Sequence, residues 1–293
     1  MRPMHEIKKR RVPMNGRYVV GVDGSRPSEA ALAWAAVRAE RDGRVVVLAH
    51  VEAIPGAGDP KREPSGNTLR DSVARIRERH PLVAFSTTLV HGSAVWELAR
   101  LTHHDDVLAI GTHKTGYLNG RVLGSRSVQI TMATDCTVVV VPDIDLRFRK
   151  GVVVGIDRQE SAVALARIAA HRAVEMGDEL LVVHCAAGSS GLAYARLRFD
   201  LPIGAAVDSL QQEFPALVVR SRISERPPGS ALLDATRGKA LLILGPGSLD
   251  PSRSPLGSVM HDVLLNANAP VLIARSLVDG ARDIPVSAAR ALP

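Results

Sequence analysis

Two carboxylates and two glycine-bearing loops are the residues whose types and order in this chain could do chemistry. Asp23 and Asp157 each close a short aliphatic run that carries one glycine, Tyr18-Val19-Val20-Gly21-Val22-Asp23 and Val152-Val153-Val154-Gly155-Ile156-Asp157. A carboxylate at a strand end either accepts hydrogen bonds from a ligand or caps the turn that follows. The first loop runs Gly111-Thr112-His113-Lys114-Thr115-Gly116-Tyr117-Leu118-Asn119-Gly120-Arg121-Val122-Leu123-Gly124-Ser125. Its glycines permit close backbone approach, and Gly124-Ser125 opens a helix whose free N–H groups favour phosphate. Lys114 and Arg121 bring positive charge to the same stretch. The second loop holds Gly245, Gly247 and Gly257-Ser258, with Pro246, Pro251 and Pro255 removing N–H donors. Neither loop has the glycine spacing of a Walker P-loop or a dinucleotide fingerprint.

Other reactive types fall into plainer roles. His103-His104-Asp105-Asp106 is read as a solvated helix end, because adjacent helical residues point apart, and no metal is expected. His50 and His184 each end an aliphatic run and are read as structural. There is no G-x-S-x-G elbow and no nucleophile, base and orienter set, so no catalytic residue is assigned. Cys136 and Cys185 cannot build a disulfide framework and are expected as thiols in a reducing cytosol. Ser189-Ser190 is read as a flexible loop.

The elements that must position Asp23 and the loops occur twice. The run from Tyr18 returns at Val152, 134 residues later, and Val45 to His50 returns as Leu180 to His184. Ala-rich helical stretches follow each first strand, Ser28 to Arg41 and Ser161 to Met176. Val107 to Gly111 matches Leu241 to Gly245, and Val138 to Val141 matches Val271 to Ala274. The strands read as continuous aliphatic runs, as parallel strands buried on both faces do. Alternation with helices predicts an α/β chain of two tandem doubly wound five-stranded parallel-sheet domains, strand order 3-2-1-4-5. The expected division is a basic tail over 1–16, domains over 17–149 and 150–276, and a loose tail over 277–293. Ile54 to Asn67 reads as a loop. In such a sheet, ligands bind beyond the carboxyl ends of the strands, between the first and the fourth, where Asp23 and the loop from Gly111 converge.

Composition narrows the function. Aromatic residues are only 3%, so the cores rest on Val, Leu, Ile and Ala. Of the net charge of +7, the stretch Met1 to Arg17 holds six basic residues and one acid, so the remainder is close to neutral. A body that grips nucleic acid along its length is therefore not expected, whereas the tail itself could hold a polyanion or RNA. Met14 would begin a shorter chain that keeps the first domain whole. No run approaches the roughly 20 apolar residues of a membrane span, and the charged start does not resemble a secretory signal, so a cytoplasmic location is expected.

From about Arg17 to Pro142, and again from about Gly151 to Ser276, the chain resembles the universal stress protein family. Nucleotide-binding members carry Gly, two residues, Gly, nine residues, then Gly with Ser or Thr, between the fourth strand and the last helix. Gly111 and Gly124-Ser125 keep the outer positions and their spacing, while Lys114 replaces the middle glycine and either grips a phosphate or fills the vacated space. The second half keeps Gly247, nine residues and Gly257-Ser258, but Gly245 stands one residue too close. The resemblance implies that Val22, Asp23 and the backbone at Val51 hold adenine and that Ile110 lines the pocket. It places Gly124, Ser125, Arg126 and Ser127 at the phosphates. Asp157, with Gly245, Gly247, Gly257, Ser258 and Val259, would form an altered or empty second site. ATP, accompanied by Mg2+, is the implied ligand of a stress-response sensor or regulator. A ligand-free scaffold acting through protein or RNA contacts and a slow nucleotide hydrolase are the alternatives, and a homodimer is left open. The fifth strands of the two halves are expected to meet.

Overall fold

A computed structural model describes residues 16–53, 65–112, 126–157, 159–185, 203–204, 206–246 and 257–275. The first half runs β1 (Tyr18–Gly21), α1 (Arg26–Asp42), β2 (Val46–Glu52), α2 (Ser65–Arg79), β3 (Phe85–His91), α3 (Ala94–Leu101), β4 (Val107–Thr112), α4 (Arg126–Ala133) and β5 (Thr137–Pro142). The second runs β6 (Val152–Ile156), α5 (Gln159–Met176), β7 (Leu180–Cys185), the helical residues 203–204 and 206–213 (α6), β8 (Val219–Ser224), α7 (Pro228–Ala235), β9 (Leu241–Leu244), α8 (Gly257–Leu265) and β10 (Val271–Ile273). The basic tail, the loop after β2 and the C-terminal tail fall largely outside the described residues.

The ten strands among the described residues join one sheet in the order β3-β2-β1-β4-β5-β10-β9-β6-β7-β8. Read inward from its outer edge, each half has the expected order 3-2-1-4-5. Neighbours within a half are parallel, and β5 meets β10 antiparallel through Val140–Val271, Val139–Leu272 and Val138–Ile273. Leu108 pairs with Val138 and Leu242 with Val271. Equivalent residues are thus 134 apart in β4 and β9 but 133 apart in β5 and β10. The loop between them is one residue shorter in the second half, which is the displacement seen at Gly245.

The inner strands are aliphatic because helices cover both their faces. One face buries Val20, Leu48, Ala109, Val154 and Leu180 under α1, α2, α5 and α6. The other buries Val19, Leu108, Val140, Leu242 and Ile273 under α3, α4, α7 and α8. The expectation of unbroken aliphatic strands fails at the two edges. β3 (FSTTLVH) and β8 (VRSRIS) are polar and partly exposed along their length. An outer strand has one unpaired side facing water, and charged or hydroxylated residues there discourage pairing with another chain.

The helix that leads into the first cleft has clear local causes. Ser25 caps α1, its Oγ accepting from the Ser28 N–H at 3.3 Å, and Pro27 sits in the first turn, where its missing donor costs nothing. Gly43 ends the helix at φ 65°, a left-handed conformation that favours glycine. Ala31, Leu32, Ala35, Ala36 and Ala39 are buried on the sheet side. Small alanines let the helix lie close on a sheet of branched strands.

The halves also meet through helices. At the C-terminal ends of α1 and α5, Arg41 donates to the Glu175 carbonyl at 3.2 Å, and Arg172 lies 3.9 Å from Asp42. Arg38, at the position equivalent to Arg172, instead meets the Met176 sulfur at 3.9 Å and stacks 3.6 Å over the Trp34 ring. Burial pulls the Arg38 guanidinium down to about 9, so it stays charged at neutral pH.

Candidate functional site

The first cleft is built where β1 and β4 send their chains in opposite directions. Val22 is buried and its N–H donates to Ala49 O at 2.9 Å, which brings Asp23 to the rim. The Asp23 carboxylate is exposed, and its Oδ1 accepts from the Ser25 N–H at 3.0 Å. The Asp23 N–H turns to Ser28 Oγ at 3.4 Å. Partial desolvation works to raise this carboxyl, but bonds from Ser25 and Ser28 outweigh it and hold the group below its usual value. Asp23 therefore both caps its turn and presents a fixed negative charge at the cleft. Of the two sequence readings, the turn cap is the one these bonds show.

Gly111 has a role that glycine spacing alone does not reveal. A Cβ there would fall 2.2 Å from the Pro27 carbonyl carbon and 2.5 Å from the Ser28 nitrogen. The N-terminus of α1 is thus packed directly on the end of β4, which brings the Asp23 turn and the start of the glycine loop together. Gly245 is not under the same constraint, since a Cβ there would meet Leu165 at an ordinary 3.6 Å.

The remaining assigned residues divide. Ile110 is 4% exposed and belongs to the core with Leu98, Val128 and Val140. Val51 is half-buried near the end of β2. Arg126 begins α4 and is exposed, whereas Ser127 is buried and its carbonyl accepts from Thr131 Oγ1 at 2.7 Å. Lys114, Gly124, Ser125 and Gly247 lie outside the described residues. In the second half Asp157 is exposed at the equivalent rim. Gly257 begins α8 at φ 63°, followed by exposed Ser258 and half-buried Val259.

Two histidines acquire a position that the sequence reading left open. His50 Nδ1 lies 2.6 Å from the Val22 carbonyl, and His184 Nδ1 lies 2.9 Å from the Ile156 carbonyl. Asp106 is held by Arg17, with Nη2 to Oδ2 at 2.6 Å, so this member of the His-His-Asp-Asp stretch ties the start of β1 to the approach to β4. Among the described residues no group of three His, Cys, Asp or Glu side chains is placed to hold a metal. Cys136 is buried, Cys185 is half-buried, and burial pushes both thiols up. No helix among the described residues is long and apolar enough to cross a membrane.

The profile of the Universal stress protein family matches residues 14–142 and again 149–275. The chain belongs to this family. The universal stress protein Rv1996 of Mycobacterium tuberculosis is 25% identical over 300 residues, covering 88% of this chain and 94% of that protein. A universal stress protein from Archaeoglobus fulgidus DSM 4304 superposes with a TM-score of 0.67 at 18% identity, covering 90% of this chain and all of the other. A shorter universal stress protein of Archaeoglobus fulgidus, solved in complex with dAMP, covers 43% of this chain at 22% identity and a TM-score of 0.35, with 98% of its own length matched. The tandem universal stress protein arrangement expected from the internal repeat is thus present along nearly the whole chain.

Proposed function

We propose that this universal stress protein is a cytoplasmic stress-response protein that binds ATP or a related adenine nucleotide in its first cleft, as a sensor or regulator. The observation that carries the reading is the Asp23 turn. An exposed carboxylate is fixed by Ser25 and Ser28 at the crevice between β1 and β4, where Gly111 admits the end of α1. Such a carboxylate accepts from the amino group of a base, and α4 begins with the exposed Arg126 after the glycine loop that leaves β4, where the positive end of a helix dipole favours phosphate. The residues present fit a nucleotide: Asp23 and Val51 on the base side, Arg126 on the phosphate side, with Mg2+ travelling on the nucleotide. A hydrolytic step is not part of the proposal, which assigns no residue to orient an attacking water. A homodimer and a polyanion contact through Lys8, Lys9, Arg10 and Arg11 are separate proposals, the second checked by a salt titration of RNA binding.

The test is calorimetry of the full chain with ATP, beside mass spectrometry of any nucleotide that purifies with it. One adenine nucleotide per chain is expected. Neither heat nor co-purifying nucleotide would overturn the reading in favour of the ligand-free scaffold.

A further inference from the structure

Where β1 turns away toward α1, β2 still points backbone groups at the place β1 has left. Tyr18 N–H donates to Val45 O at 3.0 Å and Val22 N–H to Ala49 O at 2.9 Å, which puts the odd-numbered residues of β2 on the β1 side. Val46 N–H donates to Ala84 O at 2.9 Å and Gly92 N–H to Glu52 O at 2.8 Å, so the even-numbered residues face β3. The strand period of two therefore aims the N–H and C=O of Val51 toward β1. By then the pairing of β1 with β2 has ended, its last rung joining Gly21 to Ala49. The next rung would give the Val22 carbonyl to the Val51 N–H. His50 meets that carbonyl instead, at 2.6 Å, with Nδ1 as the donor because a carbonyl can only accept. His50 is 3% exposed, so the contact is shielded from water.

The second half repeats the contact with a different result. His184 approaches the Ile156 carbonyl over the same separation of 28 residues. There the ladder continues one rung further and joins Ile156 to His184. Val152 N–H donates to Glu179 O and Leu180 N–H to Val218 O, both at 2.9 Å, so the parity matches the first half. In a parallel ladder the rung at Ile156 and His184 is closed by the N–H of Cys185, the counterpart of Val51.

We propose that His50 is a positioning residue of the first cleft, which draws the Val22 carbonyl in to 2.6 Å, against 2.9 Å at His184, so that the Val51 N–H stays out of the ladder and open to a nucleobase. In the second half that donor is spent within the sheet, so the chain takes one nucleotide, in the first cleft. The inference rests on the adenine-nucleotide reading. Val51 then offers a donor and an acceptor side by side, the complement of a base edge with a ring nitrogen next to an amino group. His50 does not touch the ligand and acts through Val22 and Val51.

The experiment compares the full-length wild type with His50→Leu and His50→Asn, the latter able to place an amide N–H where Nδ1 stands. Hydrogen exchange at Val51 and Cys185 is followed without nucleotide, and the Kd for ATP is measured by calorimetry. In the wild type and His50→Asn, Val51 should exchange quickly while Cys185 is protected. In His50→Leu the rung closes, Val51 slows by about ten-fold or more, and ATP binds about ten-fold more weakly. Val51 protected as strongly as Cys185 in the wild type overturns the inference, a comparison that stands even when His50→Leu does not fold. Unchanged ATP affinity in folded His50→Leu overturns it as well. A wild type that binds no ATP but shows an open Val51 beside a protected Cys185 removes the adenine reading and leaves the part played by His50 intact.

Discussion

Val139 of β5 stands directly opposite Leu272 of β10, and the two positions are equivalent in the two halves of the chain. A local two-fold axis therefore passes between them. Their neighbours are exchanged across it, Val138 facing Ile273 and Val140 facing Val271. All six are buried, so this short antiparallel junction is continuous with both cores. The same axis relates the ends of α1 and α5, where Arg172 meets Asp42 and Arg38 meets Met176.

The seam should depend on Asp42 more than on any other charge in it. Its Oδ2 accepts from the buried Tyr18 hydroxyl at 2.5 Å and lies 3.9 Å from Arg172. Replacing it by Ala leaves the buried Tyr18 hydroxyl without its acceptor and takes the more distant of two carboxylates from Arg172, which keeps Glu175 at 2.8 Å. Asp42→Ala is expected to cost about 2–4 kcal/mol in urea unfolding. Tyr18→Phe, which removes only one hydrogen bond, is expected to cost about 1 kcal/mol. Equal losses in the two variants would show that the charge contributes nothing.

The two strand-end glycines should respond differently to the same change. A methyl at Gly111 would overlap the Pro27 backbone, which cannot move without shifting α1, whereas a methyl at Gly245 meets only a Leu165 methyl at contact distance. Gly111→Ala is expected to destabilise by about 2–4 kcal/mol and Gly245→Ala by less than about 1 kcal/mol. Thermal unfolding of both proteins checks this, and a fully stable Gly111→Ala chain would contradict the packing of α1 on β4.

Nucleotide binding should follow the first carboxylate and not the second. Asp23→Ala is expected to weaken ATP binding at least about ten-fold, through a lost acceptor and a loosened turn. Asp157→Ala should leave the ATP isotherm unchanged. Calorimetry on the two full-length variants separates the clefts, and the reverse ranking would move the site to the second half.

Acid should loosen the start of β1. Burial acts to raise the Asp106 carboxyl, but bonds from Arg17 and the His103 N–H prevail and hold it below its usual value. An unfolded Asp titrates near about 3.9, so the folded chain binds this proton less readily than the unfolded one. The contribution is complete above that value and is lost as pH falls through the lower folded value. Urea midpoints should therefore drop as pH falls from about 4, and Asp106→Asn should be less stable at pH 6 with a shallower decline on acidification. A parallel decline in both proteins would assign the acid sensitivity to other carboxylates.

The sequence by itself determined the repeated α/β architecture, because each half spells buried parallel strands as unbroken aliphatic runs at a fixed offset. It also located Asp23 and Gly111, since an acid after a strand and a glycine before a loop are local signals. The edge strands β3 and β8 were less legible, because a strand exposed on one side loses the apolar run that marks the others. How the halves join was expected from the family resemblance, in which the fifth strands meet, and not from the residues of β5 and β10, since an edge looks the same in sequence whether it meets a partner or solvent. The tertiary structure shows the two strands paired antiparallel. It alone revealed that Gly111 is filled by the end of α1, 84 residues back at Pro27, a contact with no local trace. The single rung that separates the clefts is likewise tertiary. His50 and His184 are the same residue type at equivalent places, and only the tertiary structure shows that β1 leaves the ladder one residue earlier than β6, where His50 holds the Val22 carbonyl at 2.6 Å.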